Sequence, residues 1–149
     1  LLLRSFRRLN VGEAKLVVVG AGSLEAELHQ LANSLGISDQ VVFTGALTGK
    51  DLYAWYYLAD LFVLPSQFEP FGAVVNEALV AGCFVIVSDK VGAASLINSS
   101  NGSIFESNNE KQLAEEIGKG LKERRTKKHI CRMEHSFNWY FNNLKSFLK

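Results

Sequence analysis

The sequence predicts an α/β domain with a parallel sheet and helices on both faces. Three observations predict it. Mainly apolar runs of strand length occur at residues 15–20, 41–45, 61–64 and 84–87, the first of them β-branched and ended by glycine. Stretches with helical apolar spacing alternate with them. The connections are short, and no segment repeats another. Apolar runs without polar alternation are strands covered on both faces, as in parallel sheets. Helices between such strands supply the crossovers, which are right-handed by default.

Each element has a local reason. Leu2, Leu3, Phe6 and Leu9 have helical spacing, with Arg4, Arg7 and Arg8 forming a charged outer face. Asn10, Val11 and Gly12 end that helix. Residues 15–20 form a strand expected to be buried on both faces, followed by the tight turn Gly20-Ala21-Gly22-Ser23. Ser23 is the expected N-cap of a helix over 24–35, with Leu24, Leu28, Leu31 and Leu35 as one stripe and Gly36 closing it. Residues 41–45 are the second strand, and Thr48-Gly49-Lys50-Asp51 starts a helix that runs to about Leu58. The third strand is 61–64, the next helix holds 74–81, and the fourth strand is 84–87 after Gly82. Residues 102–105 are a short strand or turn. A helix over 110–122 turns Leu113, Ile117 and Leu121 inward, and a last amphipathic helix over 137–148 is rich in aromatics.

A chain of 149 residues suits one domain, 1–149. At 48% hydrophobic and 21% charged, the composition is that of a soluble globular protein. A net charge of +1 selects no partner class, and nucleic acid is not expected. No apolar run approaches the ~18 residues of a membrane span. Leu1-Leu2-Leu3 is too short for a secretion signal and meets Arg4 at once, so a cytoplasmic location is expected. Three leucines without a methionine read as the start of a piece of a longer chain. Cys83 and Cys131 are expected to be free thiols. His29, His129 and His135 are scattered, and neither metal-ligand spacing nor an Asp-x-Asp pair occurs. Neither a metal nor another cofactor is expected.

Residues 62–79 form the centre of the functional reading. A strand feeds a polar-aromatic turn, which feeds a helix of small residues. Such a loop lies at the carboxyl edge of the sheet, where open α/β folds bind ligands. The helix start, expected near Phe71, puts the N–H groups of Phe71, Gly72, Ala73 and Val74 in position to bind an anion. Gly72 allows close backbone approach to a diphosphate. Glu69 precedes the helix start, and Glu77 lies about two turns inside. Gly20-Ala21-Gly22 is not a dinucleotide fingerprint, because Glu25 stands where the third glycine is needed.

These segments resemble the carboxy-terminal domain of retaining GT-B glycosyltransferases, a Rossmann-like half of a larger fold. Four landmarks carry the resemblance in order: Val18-Val19-Gly20-Ala21-Gly22-Ser23; Val42-Phe43-Thr44-Gly45; Ala59-Asp60-Leu61-Phe62-Val63-Leu64-Pro65-Ser66; and the Glu-x7-Glu signature, Glu69 to Glu77, with Gly82 behind it. The match is strong over 1–105 and weak over 106–149, where Phe137-Asn138-Trp139 is similar to the family's terminal helix.

The resemblance implies roles. Glu77 would hold the ribose diol, since an ionised acceptor makes short, strong bonds to hydroxyls. Glu69 would contact the transferred hexose and position its reacting carbon without acting as a nucleophile. Phe71, Gly72, Ala73 and Val74 would hold the diphosphate, while Gly20 and Gly22 would line the cleft. The implied partners are a nucleotide-sugar donor and a glycan or glycolipid acceptor. An amino-terminal domain of the same chain would carry the acceptor site, and the family's phosphate-binding Arg and Lys would lie upstream. The segment alone is then expected to bind donor weakly and to be inactive. Lys119, Lys122, Arg124, Arg125, Lys127 and Lys128 form a basic cluster, read as a solvated helix face or a contact with an anionic inner membrane face. The runner-up is a non-catalytic nucleotide- or sugar-phosphate-binding module. An epimerase or a phosphorylase shares the architecture, but a phosphorylase needs a pyridoxal lysine, and Lys90 is the only lysine between Asp51 and Asn109.

Overall fold

Residue preferences and periodicity account for most of the observed elements. A computed structural model describes residues 1–9 and 12–124, without the side chains of Glu123 and Arg124. The order is α1 (Leu2–Arg8), β1 (Leu16–Val19), α2 (Glu25–Ser34), β2 (Val41–Gly45), α3 (Gly49–Leu58), β3 (Leu61–Leu64), α4 (Ala73–Val80), β4 (Phe84–Ser88), β5 (Gly102–Phe105) and α5 (Glu110–Arg124). Short 3₁₀ turns cover Ser38–Gln40 and Gly92–Leu96. The expected end of α1 at Asn10-Val11 and the helix over 137–148 lie outside the described residues. No described helix is long and apolar enough to cross a membrane.

All strand ladders are parallel, as predicted, but the sheet is divided. β1 pairs with β2, and separately β3, β4 and β5 pair in that order. The division corrects the expectation that the first strand is buried on both faces. Its residues are half-buried or exposed, with Val19 38% and Val42 on β2 41% exposed. By contrast β4, paired on both sides, is buried at every position.

Helices cover both faces of the three-stranded sheet, and the strand period of two sorts the side chains between them. Phe62, Leu64, Val85 and Val87 share a core with Tyr56 of α3 and Val75, Ala78 and Leu79 of α4. The intervening Leu61, Val63, Phe84 and Ile86 pack with Leu113, Ile117 and Leu121 of α5 and with Leu1, Leu2 and Leu9. The inward turn expected of those three α5 residues is thereby met. Full burial of each such aliphatic side chain stabilises the fold by roughly 1.5–3 kcal/mol. The third cluster holds Leu3 and Phe6 of α1 with Ala32, Ile37 and Val41, against Leu16, Val18 and Phe43.

Two helix starts differ from expectation. Leu24, not Ser23, occupies the N-cap of α2, and it makes no side-chain cap bond. Leu24 is 58% exposed, so the inward stripe is Leu28, Leu31 and Leu35. Helix α4 begins at Ala73 rather than Phe71, because Gly72 is left-handed at φ 74° and breaks the helical path.

The β3–α4 connection is fixed by the loop after β4. The Glu69 N–H donates to the Lys90 carbonyl at 3.1 Å, and the Gly92 N–H donates to the Glu69 carbonyl at 2.8 Å. A side chain at Gly92 would put a Cβ 2.0 Å from the Pro70 carbonyl oxygen. One at Gly72 would meet Val91 Cγ1 at 2.8 Å, in addition to the left-handed φ. Gly92→Ala is therefore expected to destabilise the protein by about 2 kcal/mol. Gly22→Ala, with no atom within 4 Å of the added carbon, is expected to cost less than about 0.5 kcal/mol. Equal urea-denaturation midpoint shifts for the two variants would contradict this account.

Candidate active site

At the carboxyl end of β3 the chain runs through Pro65 and Ser66 into an exposed turn, then enters α4. Both carboxylates singled out from the sequence lie here. Glu69 is half-buried and has its backbone paired to Val91 in an isolated parallel bridge. Its carboxylate Oε1 accepts the Phe71 N–H at 3.1 Å and the Gly72 N–H at 3.0 Å. The N–H nest expected to receive a phosphate thus already receives an anion, from the chain itself. Left-handed Gly72 makes this possible by turning successive N–H groups to the same side.

The remaining first-turn donors follow from helix geometry. Ala73 and Val74 head α4, where N–H groups lack an acceptor four residues back. The Val75 N–H returns to the Gly72 carbonyl at 2.9 Å. Phe71 contributes only its backbone to the nest, and its ring is 82% exposed, as is that of Phe68 at 81%.

Glu77 is the fifth residue of α4, so it lies just over one turn inside rather than the two expected. It is half-buried, and the Tyr56 phenol of α3 meets it. Burial, then the charge of Glu77 and the hydrogen bond to its carboxylate, push the Tyr56 phenol well above its ordinary range. Tyr56 therefore stays protonated and donates. Its ring is held edge-on against Phe62 at 5.6 Å between centroids, and its carbonyl accepts the Cys83 thiol at 3.0 Å. Sequence reasoning missed Tyr56. The available signal was its place in the apolar stripe of α3, which reads only as core.

Ser88 was missed as well. It is fully buried at the end of β4, its hydroxyl donates to the Ser66 carbonyl, and it accepts the Lys90 N–H at 3.2 Å. It thereby ties the turn after β3 to the one after β4. A serine closing an otherwise apolar strand was the visible sign. Next to it, Asp89 pairs with Lys90 at 2.8 Å and accepts the Ser107 N–H at 2.7 Å. Those two bonds hold its carboxyl below the usual range, while the carboxylate raises the Lys90 ammonium.

Gly20 and Gly22 are exposed at the carboxyl end of β1. Gly20 has φ 135° and donates its N–H to the Gly45 carbonyl at 2.8 Å. The basic cluster is described only in part. Lys119 is paired to Glu116 at 2.6 Å, Lys122 is exposed, and Arg125, Lys127 and Lys128 lie outside the described residues. A cavity of about 430 Å³ between α1 and α5 is lined by Arg8, Leu9, Lys111, Ala114, Lys119 and Lys122 among others, and by none of the expected site residues.

Comparison with known proteins places the chain. The family model for glycosyl transferases group 1 matches residues 1–134. An uncharacterised glycosyltransferase of Methanocaldococcus jannaschii is 43% identical over 84 residues, which is 56% of this chain and 22% of that protein. The Anabaena protein HepE, solved in complex with UDP-glucose, superposes with a TM-score of 0.74 at 26% identity, over 83% of this chain and 35% of that one. The carboxy-terminal domain of LpcC from Francisella tularensis shares the fold with a TM-score of 0.74 at 23% identity, over 81% of this chain and 67% of that domain. The chain thus spans well under half the length of the archaeal and Anabaena proteins. With matched family landmarks on a Rossmann-like α/β framework, this chain belongs to the glycosyl transferases group 1 family.

Proposed function

We propose that this chain is the donor-binding half of a glycosyltransferase. In this reading a hexose passes from a nucleoside diphosphate sugar to an acceptor hydroxyl with retention of configuration, in the synthesis of a surface glycan or glycolipid. The acceptor site and the cations that neutralise the leaving diphosphate belong to other parts of the polypeptide. The protein works in the cytoplasm, against the inner membrane face.

One observation carries the reading. At the carboxyl edge of β3, an N–H nest holding one carboxylate adjoins a helix that presents a second. Family membership supports glycosyl transfer as the chemistry of this edge, and the UDP-glucose bound to the Anabaena relative supports a nucleotide sugar as ligand.

The chemistry follows from the donors. A diphosphate oxygen entering the nest replaces Glu69 Oε1 on the Phe71 and Gly72 N–H groups. The displaced carboxylate is then free to accept hydroxyls of the transferred sugar. Ala73 and Val74 add donors, and the start of α4 adds about half a positive charge. As the bond from the anomeric carbon to the phosphate oxygen breaks, its electron pair stays with the diphosphate, and the acceptor oxygen bonds to that carbon and gives its proton to the departing phosphate oxygen. Donors already aimed at that oxygen stabilise the growing charge without reorganising. Glu77 accepts the ribose hydroxyls, and Tyr56 keeps its carboxylate oriented. Gly20 and Gly22 border the ligand from the β1 side.

Thermal-shift titration with nucleoside diphosphates and their sugars tests this. A ligand at a hundred times its Kd is expected to stabilise the chain by about 2.7 kcal/mol. Glu77→Ala should remove that stabilisation. Failure of every nucleotide to stabilise, or undiminished binding by Glu77→Ala, would sink the proposal. Tyr56→Phe is expected to weaken nucleotide binding roughly tenfold, the loss of one bond to a charged acceptor. Glu69→Ala, which empties the nest of its internal anion, should tighten nucleoside diphosphate binding and lose the increment due to the sugar. Loss of both would place Glu69 in the phosphate site instead. EDTA is expected to leave every affinity unchanged, and sensitivity to it would count against a metal-free site. In the full-length protein, intact biological function with both Glu69→Ala and Glu77→Ala would favour a binding module over an enzyme.

A further inference from the structure

Charge is distributed unevenly along the chain. Residues 10–109 carry three basic side chains, Lys15, Lys50 and Lys90, against ten carboxylates. Residues 1–9 and 110–149 carry thirteen basic side chains against five carboxylates. The near-neutral total hides this asymmetry, which points to contact with a membrane or a nucleic acid. Folding brings the two basic ends together. Helices α1 and α5 pack side by side over the face of the three-stranded sheet opposite α3 and α4. Ser5 Oγ of α1 donates to the Glu110 carbonyl of α5 at 3.0 Å, and Arg8 pairs with the Glu110 carboxylate at 2.6 Å.

The cavity between these two helices, about 430 Å³, falls within the ~300–1,000 Å³ of small-molecule sites. Leu9, Ala114 and Gly118 give it an apolar floor. A Cβ at Gly118 would stand 3.2 Å from Leu9 Cδ2, so glycine lets the helices approach closely and keeps that floor low. The cations Arg8, Lys111, Lys119 and Lys122 surround it, and the lining also includes the carboxylate of Glu115. The three lysines follow one side of α5, at spacings of eight and three residues. Arg8 and Lys119 are held by Glu110 and Glu116 through side chains that are 59% and 65% exposed. Exposed pairs of this kind are worth little, so both cations can turn to another anion. Lys111 and Lys122 are exposed and form no ion pair among the described residues.

We infer that the α1–α5 seam docks on an anionic phospholipid membrane, with a lipid phosphate seated in the cavity. Charge complementarity selects this occupant. A phosphodiester accepts bonds from several ammonium groups at once, and the glycerol and first acyl carbons beside it match the apolar floor. A planar surface engages one face of a protein, which suits a basic seam on an otherwise acidic chain. A nucleic acid long enough to wrap the molecule would meet the ten carboxylates of residues 10–109. Docking through this face leaves the carboxyl edge open, because Glu69, Phe71, Gly72 and Glu77 take no part in the cavity. The seam gives the membrane contact proposed above a surface, yet it rests on charge and packing alone and holds whatever ligand the carboxyl edge takes.

The test is co-sedimentation of the 149-residue chain with vesicles of phosphatidylcholine alone, and of phosphatidylcholine with an equal part of phosphatidylglycerol. Binding to the mixed vesicles only is expected, weakening as salt is added. Each basic side chain near such a surface is worth about fivefold in affinity. The double variant Lys111→Gln with Lys122→Gln is therefore expected to bind about thirtyfold more weakly. Lys15→Gln with Lys50→Gln removes the same charge outside the seam and is expected to change binding by less than about twofold. Both double variants should keep the parent melting temperature and any thermal shift caused by nucleotide, which reports on the donor site separately. A missing nucleotide shift in every form bears on the donor reading alone. Equal losses in the two double variants, undiminished binding by the first, equal binding to phosphatidylcholine alone, or no vesicle binding at all would overturn the inference. Release from mixed vesicles by inorganic phosphate at constant ionic strength would assign the cavity to a small soluble anion instead. Vesicle binding by the full-length protein that ignores Lys111→Gln with Lys122→Gln would mean that another part of the polypeptide covers the seam, and would overturn the inference as well.

Discussion

The candidate site depends on a backbone-to-backbone contact between the Glu69–Pro70 turn and the loop after β4. Two hydrogen bonds hold Glu69 to Lys90 and Gly92, and Pro70 packs so closely on Gly92 that no side chain fits between them. Buried Ser88 adds a third tie, from the end of β4 to Ser66. With its backbone held on both sides, Glu69 can direct its carboxylate at the N–H groups two and three residues ahead. The geometry of the turn is therefore set by β4, an element remote in sequence.

That geometry builds the anion nest and fills it with the same residue. A carboxylate in the nest satisfies donors that the left-handed Gly72 would otherwise leave without an acceptor. It also means that a phosphate must compete with an internal anion already in place. Such competition lowers affinity for a bare nucleotide and favours a ligand whose sugar gives Glu69 a new partner. In the proposed reaction, phosphate entry and carboxylate release are one event.

Much of this was legible from residues in order. The strands at 61–64 and 84–88 fall on the continuous apolar runs that predicted them, and the short strand at 102–105 lies where a strand or turn was expected. Glu69 and Glu77 could be found because their spacing brackets a helix start. Tyr56 and Ser88 were harder to read. Each looks like an ordinary core or strand residue until folding brings its oxygen to a group 21 or 22 positions away. The start of α4 was misjudged by two residues because a glycine followed by alanine is compatible with a helix, and only its left-handed φ rules that out. The outward Leu24 likewise obeyed the local leucine spacing but fell on the wrong side of the helix start.

Local sequence by itself determined the strand–helix alternation, the parallel ladders and the position of a two-carboxylate loop at a strand's carboxyl end. These follow from periodicity, propensity and chain direction, which are properties of neighbouring residues. Tertiary structure decided that the sheet is split between β1 and β3, that the Glu69 carboxylate sits in its own N–H nest, and that a phenol from α3 holds Glu77. Each depends on groups distant in the chain meeting at a few ångströms, and such distances are set by packing rather than by order along the sequence.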